Sequence, residues 1–162
     1  MAFGQPVTKL AVTMGRAEGG SLLNAFDNAL LAAGIGNVNL VKVSSIVPPG
    51  VEVVALPRIK AGALVPTAYA AISSDVPNET VAAAVGYALP CDPGHAGVIM
   101  EFHDRTDRQT AEQAVRAMLA EAFLVRGEAI REMQVVAAEH RVEKAGCALA
   151  AVTLLSEDDL VR

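Results

Sequence analysis

Two adjacent hydroxyls, those of Ser44 and Ser45, occupy a position in the sequence that could support backbone chemistry. They lie in the β-branched-rich stretch NVNLVKVSSIV, Asn37 to Val47, directly before the turn formed by Pro48 to Gly50. A serine hydroxyl becomes a strong nucleophile where its surroundings supply a base and donors for the developing charge. By itself the pair is better explained as two strand-end hydroxyls, since the dipeptide recurs as Ser73-Ser74.

Other catalytic patterns have weaker support. The loop GIGNVNL, residues 34–40, follows a predicted helix and precedes a strand, and Asn39 stands where a dinucleotide-binding loop requires its third glycine. Lys42, Lys60 and Lys144 could form Schiff bases, but we expect solvated surface lysines. A Ser-His-Asp triad stays open, although the chain has no GxSxG motif to support it.

Metal binding and nucleic-acid binding are not expected. Cys91 and Cys147 lack CxxC spacing and nearby histidines, which predicts reduced buried thiols, and the three histidines also lack the spacing of metal ligands. The formal net charge of −5 argues against a partner with a phosphate backbone, which requires clustered Lys and Arg. A small cationic ligand fits this charge better.

The bulk composition predicts one domain over residues 1–162. With 52% hydrophobic and 19% charged residues, the chain can bury roughly two-thirds of its unfolded surface. No apolar run approaches the roughly 20 residues that a membrane span needs. Met1 to Gln5 lacks the basic start and apolar segment of a signal peptide, so we expect a cytoplasmic protein without membrane association.

Two helices and eight strands are predicted around these residues. One helix starts at the N-cap Ser21 and stops at Gly34, with Asp27 beside its apolar stripe, and the other spans Asp107 to Glu128. Gly15 to Gly20 is expected to be a flexible loop. The predicted strands are Thr8 to Met14, Asn37 to Val47, Val51 to Leu56, Ala63 to Ser73, Thr80 to Leu89, Val98 to His103, Gln134 to Ala138 and Gly146 to Leu155. Without βαβ alternation, this order predicts an α+β sandwich of antiparallel sheets covered by two helices.

The sequence around the serine pair resembles a known family. The segment LNAFDNALLAAGIGNVNLVKVSSIVPPG, residues 23–50, looks like the pyruvoyl-dependent arginine decarboxylases of the short archaeal type. The likeness continues in order through GALVPTAYA (62–70), SDVPNET (74–80), GVIMEF (97–102) and AEHRVEKAGCALAA (138–151). It implies a four-layer αββα sandwich of antiparallel or mixed sheets, assembled as a homotrimer or a hexamer with active sites at subunit interfaces.

The resemblance implies that the chain cleaves itself between Ser44 and Ser45. Ser45 Oγ would attack the Ser44 carbonyl and convert the amide to an ester, and β-elimination followed by hydrolysis would leave a pyruvoyl group at position 45. The products would be a β chain, residues 1–44, and an α chain, residues 45–162. Asn39 matches the family's donor to the developing oxyanion. The pyruvoyl group would be the cofactor, with no need for PLP or a metal.

The same resemblance assigns the residues of the decarboxylation. The substrate α-amine would form a Schiff base with the pyruvoyl group, which takes the part that PLP plays elsewhere. Glu101 matches the family's proton donor to Cα, and its apolar neighbours in VIME predict partial burial. Asp27 corresponds to the aspartate that binds the guanidinium group. The implied reaction converts L-arginine to agmatine and CO2.

Two alternatives remain open from the sequence. The same cofactor could act on ornithine, lysine or another amino acid, because a carboxylate attracts any cation while arginine selection needs bidentate geometry and the right pocket length. From a different class of protein, the chain could be an unprocessed, non-catalytic oligomeric binding or scaffold protein that keeps the fold without the chemistry.

Overall fold

The computed structural model describes residues 5–161, so most of the segment Met1 to Gln5 lies outside it. Within that range the chain forms two α-helices, α1 (Leu22–Ala32) and α2 (Arg108–Arg126), and a 3₁₀ turn at Glu157–Asp159. The strands are β1 (Lys9–Glu18), β2 (Asn39–Lys42), β3 (Ile46–Val47), β4 (Glu52–Val53), β5 (Leu64–Ser74), β6 (Thr80–Pro90), β7 (Gly97–Asp104), β8 (Ile130–Arg141) and β9 (Gly146–Leu155).

Helix α1 has the ends that the sequence predicts, whereas α2 is shorter than the predicted Asp107 to Glu128 by one residue at its start and two at its end. The Ser21 hydroxyl accepts the N–H of Asn24 over 3.1 Å at the start of α1, and Gly34 follows the helix with φ +79°. Asp107 caps α2 by accepting the N–H of Thr110 over 2.7 Å, and Gly127 ends it with φ +67°. Each helix is therefore fixed by local sequence at both ends.

The strands form two sheets. The five-stranded sheet has the order β2-β5-β9-β1-β4 and is mixed, because β2 is parallel to β5 and β4 is parallel to β1. The four-stranded sheet has the order β3-β7-β6-β8 and is antiparallel. Strand β9 lies at the centre of the first sheet and is buried over its whole length, which explains its continuous apolar run GCALAAVTLL.

The two sheets pack face to face and each outer face carries one helix. Helix α1 packs on β1, β9 and β5 of the five-stranded sheet, whereas α2 packs on β6, β7 and β8 of the four-stranded sheet. Apolar side chains of both sheets, including Val85, Ile99 and Val152, fill the space between them. This arrangement confirms the predicted α+β class and the four-layer αββα sandwich.

The predicted loop at Gly15 to Gly20 is wrong over most of its length. Strand β1 continues to Glu18, which pairs with Gly146 of β9, so the neighbouring strand overrides the local preference of the glycines. Gly15 is needed for packing, because a Cβ atom there would lie 2.2 Å from the carbonyl oxygen of Ala29 in α1.

The single strand predicted from Asn37 to Val47 is also wrong. The structure has two short strands, β2 in the five-stranded sheet and β3 in the four-stranded sheet, with Ser44 and Ser45 between them. Apolar periodicity does not separate these cases, because extended residues in either sheet have the same pattern.

Smaller differences concern strand lengths and one thiol. The strand predicted at Val51 to Leu56 is reduced to β4, and the strand predicted at Gln134 to Ala138 extends to the full β8 because β6 pairs with it throughout. Both cysteines are free thiols; Cys147 is buried as expected, but Cys91 is exposed in the turn after β6. Among residues 5–161 the structure contains no helix with the length and hydropathy of a membrane span.

Candidate active site

Ser44 and Ser45 form the crossing from one sheet to the other. The N–H of Val43 donates to the carbonyl of Thr67 over 3.3 Å, which is the last backbone hydrogen bond of this segment with the five-stranded sheet. The carbonyl of Ser45 then accepts the N–H of Ile99 over 2.8 Å, which is the first backbone hydrogen bond with the four-stranded sheet. The peptide bond between the two serines therefore lies in the gap between two sheet edges.

Ser45 has a strained backbone. Its φ of +80° lies in the left-handed region, which a residue with a Cβ atom rarely adopts, and such a conformation costs about 1–3 kcal/mol. Asn78 also has a positive φ, but asparagine tolerates that region far better than serine. Strain of this size at a non-glycine residue is found mostly at functional sites.

The side chain of Ser45 contacts the predicted proton donor. Ser45 Oγ donates a hydrogen bond to Glu101 Oε2 over 3.3 Å, and Glu101 lies on β7, whose pairing with β3 brings the two residues together. The Glu101 side chain is 24% exposed, which agrees with the partial burial expected from its apolar neighbours. A cleft of about 250 Å³ opens here, lined by Ser44, Ser45, Ile46, Val98, Ile99, Met100, Glu101 and Arg126.

Lys42 reaches the same carboxylate, although the sequence suggested only a solvated lysine. Its ammonium lies 3.8 Å from Glu101 Oε1, donates to the Tyr69 carbonyl over 3.2 Å, and stands 4.8 Å from the centre of the Tyr69 ring. The signal in the sequence was its position three residues before Ser45. Arg126 of α2 is a second cation that lines the cleft, and its guanidinium donates to the carbonyl of Ala122 over 3.1 Å.

Two of the residues assigned by resemblance lie elsewhere in the single chain. Asn39 is exposed at the start of β2, and its side-chain amide donates to the carbonyl of Gly62 over 3.3 Å. Asp27 is exposed on α1, on the outer face of the five-stranded sheet, whereas Glu101 belongs to the four-stranded sheet. One chain therefore brings together Ser44, Ser45 and Glu101 but not Asn39 or Asp27.

The site fits a pyruvoyl group better than a metal. Position 45 holds a serine with a strained backbone, and its hydroxyl has a carboxylate as acceptor. Within the described part of the chain, no cluster of three or more His, Cys, Asp or Glu side chains could hold a metal ion. The arrangement can support attack by Ser45 Oγ on the neighbouring carbonyl and proton transfer at position 45.

Comparison with known proteins places the chain in a family. The family model of the pyruvoyl-dependent arginine decarboxylases matches residues 9–159. A pyruvoyl-dependent arginine decarboxylase of Methanocaldococcus jannaschii is 50% identical over 145 residues, covering 90% of this chain and 88% of that protein. One from Pyrococcus horikoshii is 49% identical over 141 residues, covering 85% and 89%. The chain belongs to the pyruvoyl-dependent arginine decarboxylase family, whose members are lyases with a pyruvoyl cofactor.

A solved structure shares the fold. The pyruvoyl-dependent histidine decarboxylase at pH 8 superposes with a TM-score of 0.52 at 13% sequence identity. The superposition covers 62% of this chain and 54% of that one, so it spans about half of the histidine decarboxylase chain. This likeness supports the architecture of the two-sheet sandwich.

Proposed function

We propose that the chain cleaves itself between Ser44 and Ser45 and, with the pyruvoyl group formed from Ser45, decarboxylates L-arginine to agmatine and CO2. One observation carries this proposal: Ser45 lies strained in the crossing between the sheets, with its hydroxyl 3.3 Å from a carboxylate oxygen of Glu101. The family supplies the cofactor type, and the site supplies the residue that would become that cofactor.

The cleavage uses groups of the chain itself together with one molecule of water. Ser45 Oγ attacks the Ser44 carbonyl carbon, a C–O bond forms, the C–N bond breaks, and the freed nitrogen gains a proton. Elimination then removes the proton on Cα of residue 45 and breaks its Cβ–O bond, which leaves Ser44 as a carboxylate. Hydrolysis of the resulting dehydroalanine releases ammonia. Because the peptide is freed from the positive φ of Ser45, backbone strain favours this direction.

Asn39 is proposed as the donor to the oxyanion of the cleavage step. Its amide carries two N–H groups, and the hydrogen bond to Gly62 uses one of them. The family resemblance of this segment supports the assignment.

Glu101 is proposed as the group that returns a proton to Cα of the substrate. The pyruvoyl group supplies an electrophilic carbonyl that holds the substrate amine and accepts the electrons released with CO2. Glu101 already contacts Oγ of residue 45, so its carboxyl group lies beside the atoms from which that group is made. A carboxyl in a partly buried cleft at hydrogen-bonding distance meets the geometric requirement for a general acid.

Asp27 is proposed to bind the guanidinium group of the substrate that occupies the cleft of a neighbouring subunit, in a trimer or a trimer-based hexamer. Leu23 and Leu31 lie four residues before and after Asp27 on α1, and they are 76% and 49% exposed. Ile46, beside the cleft, is 44% exposed. Large apolar side chains around both half-sites favour a subunit contact that brings the carboxylate of one chain to the cleft of another.

Mixed oligomers test the shared site. Asp27→Ala and Glu101→Gln chains carrying different tags are produced together, and oligomers containing both tags are purified. If Asp27 and Glu101 of different chains form each site, every mixed trimer restores one of its three sites, because only one of its three interfaces joins an intact Asp27 to an intact Glu101. The matched control contains two differently tagged Glu101→Gln chains and stays inactive. A mixture as inactive as this control would place the site within one chain.

A substrate panel tests the reaction itself. CO2 release is measured with arginine, ornithine, lysine and citrulline, and arginine is expected to react fastest because its guanidinium can bind the Asp27 carboxylate through two hydrogen bonds. Asp27→Ala should lower kcat/KM for arginine. If arginine is inert while another amino acid reacts, the substrate assignment is wrong. A chain that stays intact and releases CO2 from none of them favours the unprocessed, non-catalytic alternative.

A further inference from the structure

We propose that Lys42 is a positioning residue for Glu101, holding one oxygen of its carboxyl group so that the other faces position 45. This inference rests on the proposed role of Glu101 as proton donor. It assigns a function to a lysine that the sequence suggested was solvated, and it depends on three contacts of the ammonium group.

The anchor of Lys42 results from the crossing between the sheets. In the parallel pairing of β2 with β5, the N–H of Asn39 donates to Ala63 and that of Val43 donates to Thr67. Parallel ladders repeat every two residues, so the N–H of Ser45 would be next and would donate to Tyr69. The chain leaves the sheet before that bond forms, and the Lys42 ammonium donates to the Tyr69 carbonyl instead, over 3.2 Å.

The two carboxyl oxygens of Glu101 have different partners because the Lys42 ammonium is held in place. Oε1 faces Lys42 at 3.8 Å, while Oε2 accepts the hydroxyl of Ser45 at 3.3 Å. The Tyr69 ring, 4.8 Å from the ammonium, restricts it further through a cation–π contact. The Lys42 side chain is 57% exposed, yet three contacts with Glu101 and Tyr69 hold its ammonium group. The contact with Oε1 favours the rotation of the carboxyl group that turns Oε2 toward residue 45.

Lys42 faces the carboxyl group of Glu101 with its positive charge at 3.8 Å. The other charged or titratable groups near Glu101 are Arg126 from α2, which lines the cleft, and His103, two residues along β7. Opposite Glu101 on β6 stands the apolar Val85. Among the described residues, Lys42 is the one that forms an ion pair with Glu101.

The test compares three variants of the full chain: Lys42→Met, Lys42→Arg and, as a matched control, Lys144→Met. Lys144 is exposed in the turn after β8 and contacts Glu18 through its backbone N–H, so losing its ammonium leaves the site unchanged. For each variant the cleaved fraction is measured by mass, and kcat and KM for arginine are measured on the cleaved protein from pH 5 to 9.

For Lys42→Met we expect complete cleavage, about a tenfold lower kcat and a KM within about twofold of the unmutated protein. Lys42→Arg, which keeps the cation and its hydrogen-bond donors, should restore most of kcat, and Lys144→Met should match the unmutated protein.

An unchanged kcat in cleaved Lys42→Met protein would overturn the inference. So would slow cleavage followed by normal kinetics, since Lys42 would then act on the cleavage rather than through Glu101. Glu101→Gln separates this failure from that of the proposed function. If Glu101→Gln is inactive while Lys42→Met is normal, the positioning role alone is wrong, whereas a fully active Glu101→Gln removes the proton-donor assignment itself.

Discussion

The hydroxyl of Ser45 donates to Glu101 Oε2 over 3.3 Å although the two residues are 56 positions apart in the sequence. The pairing of the two-residue strand β3 with β7 creates this contact. One hydrogen bond therefore joins the nucleophile proposed for cleavage to the acid proposed for decarboxylation. The two roles are chemically distinct, so substitutions can separate them.

Ser45→Ala is expected to abolish cleavage, because alanine has no oxygen to attack the Ser44 carbonyl. Denaturing gel electrophoresis should show one full-length chain, and the protein should release no CO2 from arginine. Ser73→Ala, in the second Ser-Ser pair, is the matched control and should cleave normally. Fragments ending at residue 44 in the Ser45→Ala protein would mean that another group is the nucleophile.

Glu101→Gln is expected to cleave but to lose turnover. Glutamine keeps the shape and a hydrogen bond to residue 45 but has no acidic proton to deliver to Cα. Removing a general acid lowers kcat by about 10²–10⁴-fold, which single-turnover measurements on the cleaved variant would detect. A cleaved Glu101→Gln protein with normal kcat would contradict the assignment.

Asn39→Ala should slow cleavage rather than prevent it. Loss of one donor to an oxyanion usually lowers a rate by about two to three orders of magnitude. The time course of fragment appearance after rapid purification measures this rate. Because the Asn39 side chain also donates to Gly62, thermal unfolding of the uncleaved chain serves as the control for stability. Normal cleavage kinetics in a stable Asn39→Ala protein would exclude the donor role.

Glu18 should make the fold sensitive to acid. Partial burial acts to raise the pKa of its carboxyl, but the N–H of Glu143, the His140 ring and the N–H groups of Lys144 and Ala145 outweigh it and lower the pKa from 4.5 to about 2. The bonds fasten the end of β1 to the turn between β8 and β9.

Because the pKa of Glu18 is lower in the folded state, its stabilisation is complete above about pH 4.5 and is lost as the pH falls toward 2. Glu18→Gln should unfold at lower urea concentration at pH 7, and its stability should change less between pH 4.5 and 2. Unfolding is compared at one protein concentration, since oligomerisation also stabilises the folded state. Equal acid sensitivity of the two proteins would assign the effect to other carboxylates.

Much of the fold could be predicted from the sequence because it is encoded locally. The N-cap Ser21 and the stop at Gly34 predicted the bounds of α1, the apolar stripe predicted α2 to within two residues, and the bounds of β9 matched the predicted strand from Gly146 to Leu155. Turn and cap signals act within a few residues, so they can be read without knowledge of tertiary contacts.

The unpredicted parts depend on which strand lies beside which. The break between β2 and β3 at Ser44 and Ser45 was hidden because both halves are extended and apolar. The contact of Lys42 with Glu101 depends on the Tyr69 carbonyl, which accepts the Lys42 ammonium in place of a backbone N–H because the chain leaves the sheet there. Family resemblance could suggest functional roles for Ser45, Glu101, Asn39 and Asp27. It could not give the distances between these residues.

Mass spectrometry of freshly purified, unmutated protein under denaturing conditions tests the central claim most directly. The expected result is two pieces, residues 1–44 and residues 45–162, with the second lighter by one ammonia than a chain starting with serine and reactive toward a hydrazine that labels ketones. A single chain of full length, without a reactive ketone, would contradict self-cleavage and the cofactor derived from it.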